Sequence, residues 1–171
     1  MTDVNIKFVN GTYQNTDAIH NALSYIFHLD SKKPLPIRFY GVVNIGYPPD
    51  PKKLIEAFEE NYYSQNPKYI LPQQLWHMLV TMPFTLDEPY GDYFYMADSI
   101  ARIFSYEYPV CYAYHTENKT TGNEHSHFHF IISTASYIPD FPALDENRMT
   151  EYLTKIKETA GYYNVNLTLK E

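Results

Sequence analysis

Apolar residues recur along this chain with two periods, and the switches between them mark out the elements. Residues 4–9 (VNIKFV) read as a first strand, closed by the turn pair Asn10-Gly11. Ile19, Ala22, Leu23, Ile26 and Phe27 then fall at helical spacing, which predicts a helix over 17–28. Pro34 and Pro36 break the pattern, and 37–45 fits a short strand or an ordered loop. Pro48-Pro49-Asp50-Pro51 stops the chain and opens a second helix over 52–63, since proline is tolerated in a first helical turn. Leu54, Ile55 and Phe58 give that helix one apolar face. A strand over 73–83 and a third helix over 88–105 follow, the helix carrying Met96, Ala97, Ile100, Ala101, Ile103 and Phe104.

Residues 109–115 and 127–133 form a predicted hairpin, with the polar stretch 116–124 as its loop. A last helix spans 145–160, with Gly161 suited to its C-terminal cap, and 164–169 alternates as a closing strand. Strands and helices are mixed and a hairpin is present. That order predicts an α+β domain: a largely antiparallel sheet with helices packed on its faces.

Composition bounds what such a domain does. The 171 residues suit a single domain over 1–171, and 44% apolar against 19% charged residues is enough for a packed core. The net charge of -7 argues against coating duplex DNA by charge alone, which needs many lysine and arginine contacts to phosphate. A small, local phosphate site remains compatible with it. One cysteine excludes an internal disulfide framework, and Cys111, inside the apolar run Val110-Cys111-Tyr112-Ala113, reads as a small core residue. No apolar run reaches the roughly 20 residues of a membrane span. The N-terminus MTDVNIKF lacks the pattern of a signal peptide, so the expected location is cytoplasmic. Tyrosine is in surplus, at 18 residues.

The histidines carry the clearest chemistry. Four of the seven lie between 115 and 129. Strand side chains alternate, so His125, His127 and His129 share a face if the strand starts that early, with Phe128, Phe130 and Ile132 on the other, toward helices. The hairpin brings His115 beside His127 and His129. Three convergent imidazoles, neutral at pH 7, make a metal site with open coordination positions. All-histidine ligation suits zinc, copper, manganese or iron.

These residues resemble a family. The triplet His127-Phe128-His129, within YAYHTENKTTGNEHSHFHFIIST, is similar to the metal site of the HUH endonucleases. The chain order resembles their plasmid-mobilisation branch, the MobA/VirD-like relaxases. Ala22-Leu23-Ser24-Tyr25-Ile26 is similar to the relaxase segment that carries the nucleophilic tyrosine, and QQLWHMLVTMP to a later relaxase strand. The resemblance runs over roughly residues 4 to 165. It implies site- and strand-specific nicking and religation of single-stranded DNA through a 5′-phosphotyrosine, in mobilisation of a conjugative plasmid or mobile element. It also implies Mn²⁺ or Mg²⁺ as the divalent metal, with zinc as the alternative. The partners it implies are DNA at an origin of transfer or replication and accessory proteins.

On that resemblance Tyr25 is the nucleophile and His115, His127 and His129 hold the metal. His77, mid-strand in Leu75-Trp76-His77-Met78, is a candidate to take the tyrosine proton. His125 and Glu124 are candidates to contact phosphate or orient a ligand imidazole. Lys32, Lys33 and Arg38 follow the Tyr25 helix and are candidate DNA contacts, and Tyr40, Tyr47, Tyr62, Tyr63 and Tyr69 are candidate base-stacking platforms. The replication-initiator branch stands as the alternative. Phe84-Thr85-Leu86-Asp87 resembles its first motif, and Tyr152-Leu153-Thr154-Lys155 has its Tyr-x-x-Lys spacing, with Tyr152 as nucleophile. A non-catalytic DNA- or protein-binding relative, and a hydrolase of small phosphoesters, are the other two classes.

Overall fold

The computed structural model describes residues 1–29, 40–43, 50–83, 91–115 and 126–170. In chain order they form β1 (Thr2–Phe8), α1 (Ala18–Ile26), β2 (Tyr40–Val43), α2 (Pro51–Ser64), a 3-10 turn at Pro67–Tyr69, β3 (Leu75–Thr81), α3 (Gly91–Ser105), β4 (Val110–His115), β5 (His127–Ser133), α4 (Glu146–Tyr162) and β6 (Val165–Lys170). The six strands make one sheet in the order β2-β4-β5-β3-β1-β6. Every pairing is antiparallel except β1 with β6, so the chain is α+β with a mostly antiparallel sheet.

Local chemistry sets the helix ends. The Asp50 carboxylate accepts the Lys52 backbone N–H at 2.9 Å, and Pro51 fills the first helical position of α2, where no amide hydrogen is needed. Asp145 caps α4 in the same way, accepting from the Arg148 N–H at 2.9 Å. Gly161 does not end α4. The helix runs through it to Tyr162, and Asn164, at φ 59°, takes the left-handed conformation that follows the end. Asparagine tolerates that region, so the glycine was not required there.

Helices cover both faces of the sheet. On one face Phe128, Phe130, Ile132, Tyr112, Met78 and Val80 pack against Met96, Ile100 and Phe104 of α3 and Met149 and Ile156 of α4. On the other, Cys111, Ala113, Ile131 and Leu75 pack against Ile19, Leu23 and Ile26 of α1 and Leu54, Ile55 and Phe58 of α2. The central strands β4 and β5 are therefore buried along their whole length, on both sides. Burial of each large apolar side chain contributes about 1.5–3 kcal/mol, and both faces hold many. Cys111 sits fully buried in the second core, where burial pushes its thiol well up.

Among the described residues, helices cover only half of the second face. Beyond β3, the side chains Asn5 and Lys7 of β1 and Asn166, Thr168 and Lys170 of β6 lie exposed. Among the described residues, no helix is long and apolar enough to cross a membrane.

Candidate metal centre

The hairpin register builds the cluster. His115 pairs with His127, and Ala113 with His129, so three imidazoles leave two adjacent strands on the α1 face. Their ring centroids stand 5.5 Å (His115–His127), 4.3 Å (His115–His129) and 4.8 Å (His127–His129) apart. One nitrogen from each can be chosen so that all three lie within 4.8 Å of one another, and all three residues are buried. The three histidines could hold a metal ion.

Hydrogen bonds orient the rings. Nε2 of His115 lies 2.8 Å from the Ile26 carbonyl oxygen. A carbonyl only accepts, so Nε2 carries the proton and the neutral ring keeps its lone pair on Nδ1. The bond satisfies one of the carbonyls left open at the end of α1, and the helix points its negative end at the cluster, which favours a cation there. Nδ1 of His129 lies 2.7 Å from Nε2 of His77, and Nε2 of His129 is buried with no hydrogen-bond partner among the described residues. A ring nitrogen without a partner inside a protein normally has an ion or water to meet.

Burial keeps His129 and His77 uncharged. His129 is held well below the ordinary imidazole range, first by desolvation and then by repulsion from His115, His77, His127 and His28. His77 is lowered to about 4, first by desolvation and then by repulsion from His127. Neutral rings at pH 7 have lone pairs to offer a metal.

Tyr25 lies over this group. Its ring centroid is 5.5 Å from His129, 6.1 Å from His115 and 6.3 Å from His77, all edge to face. It is 55% exposed, although its neighbours on α1, Ser24 and Ile26, are buried. Its hydroxyl makes no hydrogen bond among the described residues.

The other sequence candidates fall into three groups. His77 joins the cluster from β3, where Leu79 pairs with His129 and His77 with Ile131. Tyr152 is not brought to it. Tyr152 is 3% exposed in the opposite core, stacked on Phe104 at 4.7 Å, and its hydroxyl donates to the Glu107 carboxylate. The side chain of Lys155 lies over the Tyr152 ring at 4.9 Å on that same side. Lys32, Lys33, Arg38, Glu124, His125 and the 84–87 segment lie outside the described residues, as does Tyr47 and the side chain of Tyr40. Tyr62 is core filler whose hydroxyl donates to the Leu71 carbonyl at 2.5 Å, whereas Tyr63 is exposed and Tyr69 half-buried.

Two residues escaped the sequence. His28, just past α1 at φ 57°, places its ring 4.5 Å from His115. Its position three residues after Tyr25 was the available signal. Tyr13 sets its hydroxyl 3.1 Å from Nδ1 of His77. Nothing local to Tyr13 pointed there, because the contact spans 64 residues.

No protein-family model matches the chain, and a search among curated proteins finds no significant match.

Proposed function

We propose that this chain is a metal-dependent nickase and religase of single-stranded DNA, of the HUH relaxase type, acting at an origin of transfer through Tyr25. The observation that supports it most is the pairing of one exposed tyrosine with three buried, convergent imidazoles. Phosphodiester cleavage through tyrosine needs those two parts side by side: a reachable nucleophile and a centre of positive charge for the phosphate oxygens.

His115, His127 and His129 would hold a divalent metal, which when bound polarises the scissile phosphate as a Lewis acid. The Tyr25 oxygen forms the new bond to phosphorus as the bond to the 3′ oxygen breaks. The 3′ oxygen leaves as a hydroxyl, and the phenolic proton is the proton it gains overall. A phenol ordinarily ionises near pH 10, so the proton must be drawn off as the bond forms. The phosphotyrosine keeps the energy of the phosphodiester, so a 3′-hydroxyl can return and reseal the strand.

The half-covered face supports a strand-like substrate. Lys170, Lys7, Leu79 and His129 follow one another across β6, β1, β3 and β5. Two strand spacings put Lys7 about 10 Å from His129, of the order of one to two nucleotides of extended DNA. An overall charge of -7 leaves such local cations to bind phosphate. Tyr152 lies across the sheet from the histidines, so the proposal takes Tyr25 as nucleophile.

The test is adduct formation. Labelled single-stranded origin DNA with Mn²⁺ should give a DNA–protein complex that survives denaturation. Tyr25→Phe should lower its yield by more than about a thousandfold while metal affinity stays unchanged, because uncatalysed cleavage has no comparable nucleophile. An undiminished adduct in Tyr25→Phe refutes the assignment.

A further inference from the structure

We propose that Tyr13 and His77 are positioning residues for the metal centre: they form a hydrogen-bonded chain with His129 whose proton order bound metal fixes. The proposal rests on the metal-binding part of the reading above and not on DNA cleavage.

The chain is short and unbranched. Tyr13 Oη lies 3.1 Å from His77 Nδ1, and His77 Nε2 lies 2.7 Å from His129 Nδ1. At its inner end, His129 Nε2 is buried and without a partner among the described residues, within the cluster formed with His115 and His127. Leaving such an atom unmet is costly, and an ion there removes the cost.

Proton counting leaves two arrangements. An imidazole that ligates through Nε2 carries its proton on Nδ1. His129 Nδ1–H then donates to His77 Nε2. Neutral His77 must hold its own proton on Nδ1, and it donates that proton to Tyr13 Oη. In the reverse order Tyr13 donates to His77 Nδ1 and His77 Nε2–H donates to His129 Nδ1. The His129 proton then sits on Nε2, facing the cluster, and blocks an ion. Three protons serve three groups in both orders, and no net charge changes. Metal loading therefore selects the first order along the whole chain, and the chain must be able to accept at its outer end.

The outer end is built to stay in place. The segment before Tyr13 is tied to β3, the Val9 N–H donating to the His77 carbonyl at 2.8 Å and the Gln74 N–H to the Tyr13 carbonyl at 2.9 Å. Tyr13 takes φ 44°, a left-handed conformation disfavoured for a side chain of its size, and its ring lies so close to Gly11 that a Cβ there would stand 2.9 Å from it. Burial, and then the neighbouring Tyr25, raise the Tyr13 phenol, which keeps the hydroxyl protonated and able to take either role.

The experiment uses the full chain with zinc as a diamagnetic probe. Side-chain ¹⁵N spectra of histidine-labelled protein should show His129 and His77 both in the Nδ1–H form with zinc bound. Calorimetry should show His77→Leu weakening zinc binding 10- to 100-fold, the usual cost of losing the partner of a ligand histidine. Tyr13→Phe, nearly isosteric and expected to fold, should weaken it about threefold to tenfold by the same mechanism. His77→Gln, whose amide oxygen can accept near the old Nε2 position, should restore affinity to within about threefold of the native protein. Unchanged affinity in Tyr13→Phe and His77→Leu, or His77 staying in the Nε2–H form with zinc bound, overturns the proposal alone. A native protein that binds no zinc overturns the metal reading and this proposal together. A protein that binds zinc and shows that order, yet forms no DNA adduct, loses only the nickase reading.

Discussion

The two faces of the sheet each hold a tyrosine near ionisable groups, and they use it in opposite ways. On the α3/α4 face, Tyr152 is closed in. Phe104 stacks on its ring, and its hydroxyl donates to Glu107, which also pairs with Arg148 at 3.2 Å. Burial first, then the Glu107 hydrogen bond, pushes its phenol far up, so it does not ionise. On the α1/α2 face, Tyr25 projects to solvent over imidazoles whose charge burial has removed. The first arrangement spends its polar groups on one another and holds α4 against the turn after α3. The second leaves a hydroxyl and a ring nitrogen without partners among the described residues, which is what a site for an outside ligand requires.

The widest separation between the faces should appear in the adduct assay. Tyr152→Phe should form the denaturation-resistant complex within about threefold of native yield, against the more than thousandfold loss in Tyr25→Phe. The reverse pattern would transfer the nucleophile to the other face.

Acid should then act on one face only. His77 titrates at about 4 in the folded chain and near 6.5 when unfolded, so between those values the unfolded state binds more protons. Its contribution is fully present above about pH 6.5 and is lost as pH falls to about 4, a loss of ~3 kcal/mol for the metal-free protein. His129 acts in the same direction, and the groups facing His77 are Tyr13, Tyr25, His127 and His129. Urea unfolding from pH 7 to 4 measures it, and His77→Gln should remove the His77 share. An unchanged pH profile in that variant would show that His77 is not held neutral.

Smaller effects sharpen the contrast. Tyr152→Phe should cost about 1 kcal/mol of stability through the lost hydrogen bond, with zinc affinity unmoved. Gly11→Ala, whose methyl would press on the Tyr13 ring, should cost on the order of 1 kcal/mol and weaken zinc binding severalfold. Stability lost without any change in zinc affinity would separate the Tyr13 loop from the metal centre.

What could be read from sequence follows from how far apart the determining residues lie. Strand alternation and one hairpin suffice to gather His115, His127 and His129, because the register of adjacent strands fixes their faces. The same reasoning separates Phe128 and Phe130 from them. The placement of β1 between β3 and β6 is different, since parallel pairing across the length of the chain has no local signature. Tyr13 belongs with that class. The helix end after α4 was missed for another reason: glycine is the commoner left-handed residue, and here Asn164 serves instead.

The bond from His115 to the Ile26 carbonyl has a mechanical consequence. Ile26 follows Tyr25 directly on α1, so the residue beside the proposed nucleophile is fastened to a member of the histidine cluster. This bond thus helps to hold the separation between tyrosine and cluster. An insertion of one residue between Ile26 and the rest of α1 would turn Tyr25 by about 100° away from the histidines while leaving every residue type in place. Spacing within that half-turn of helix, more than the identity of its other side chains, is the quantity on which this arrangement depends.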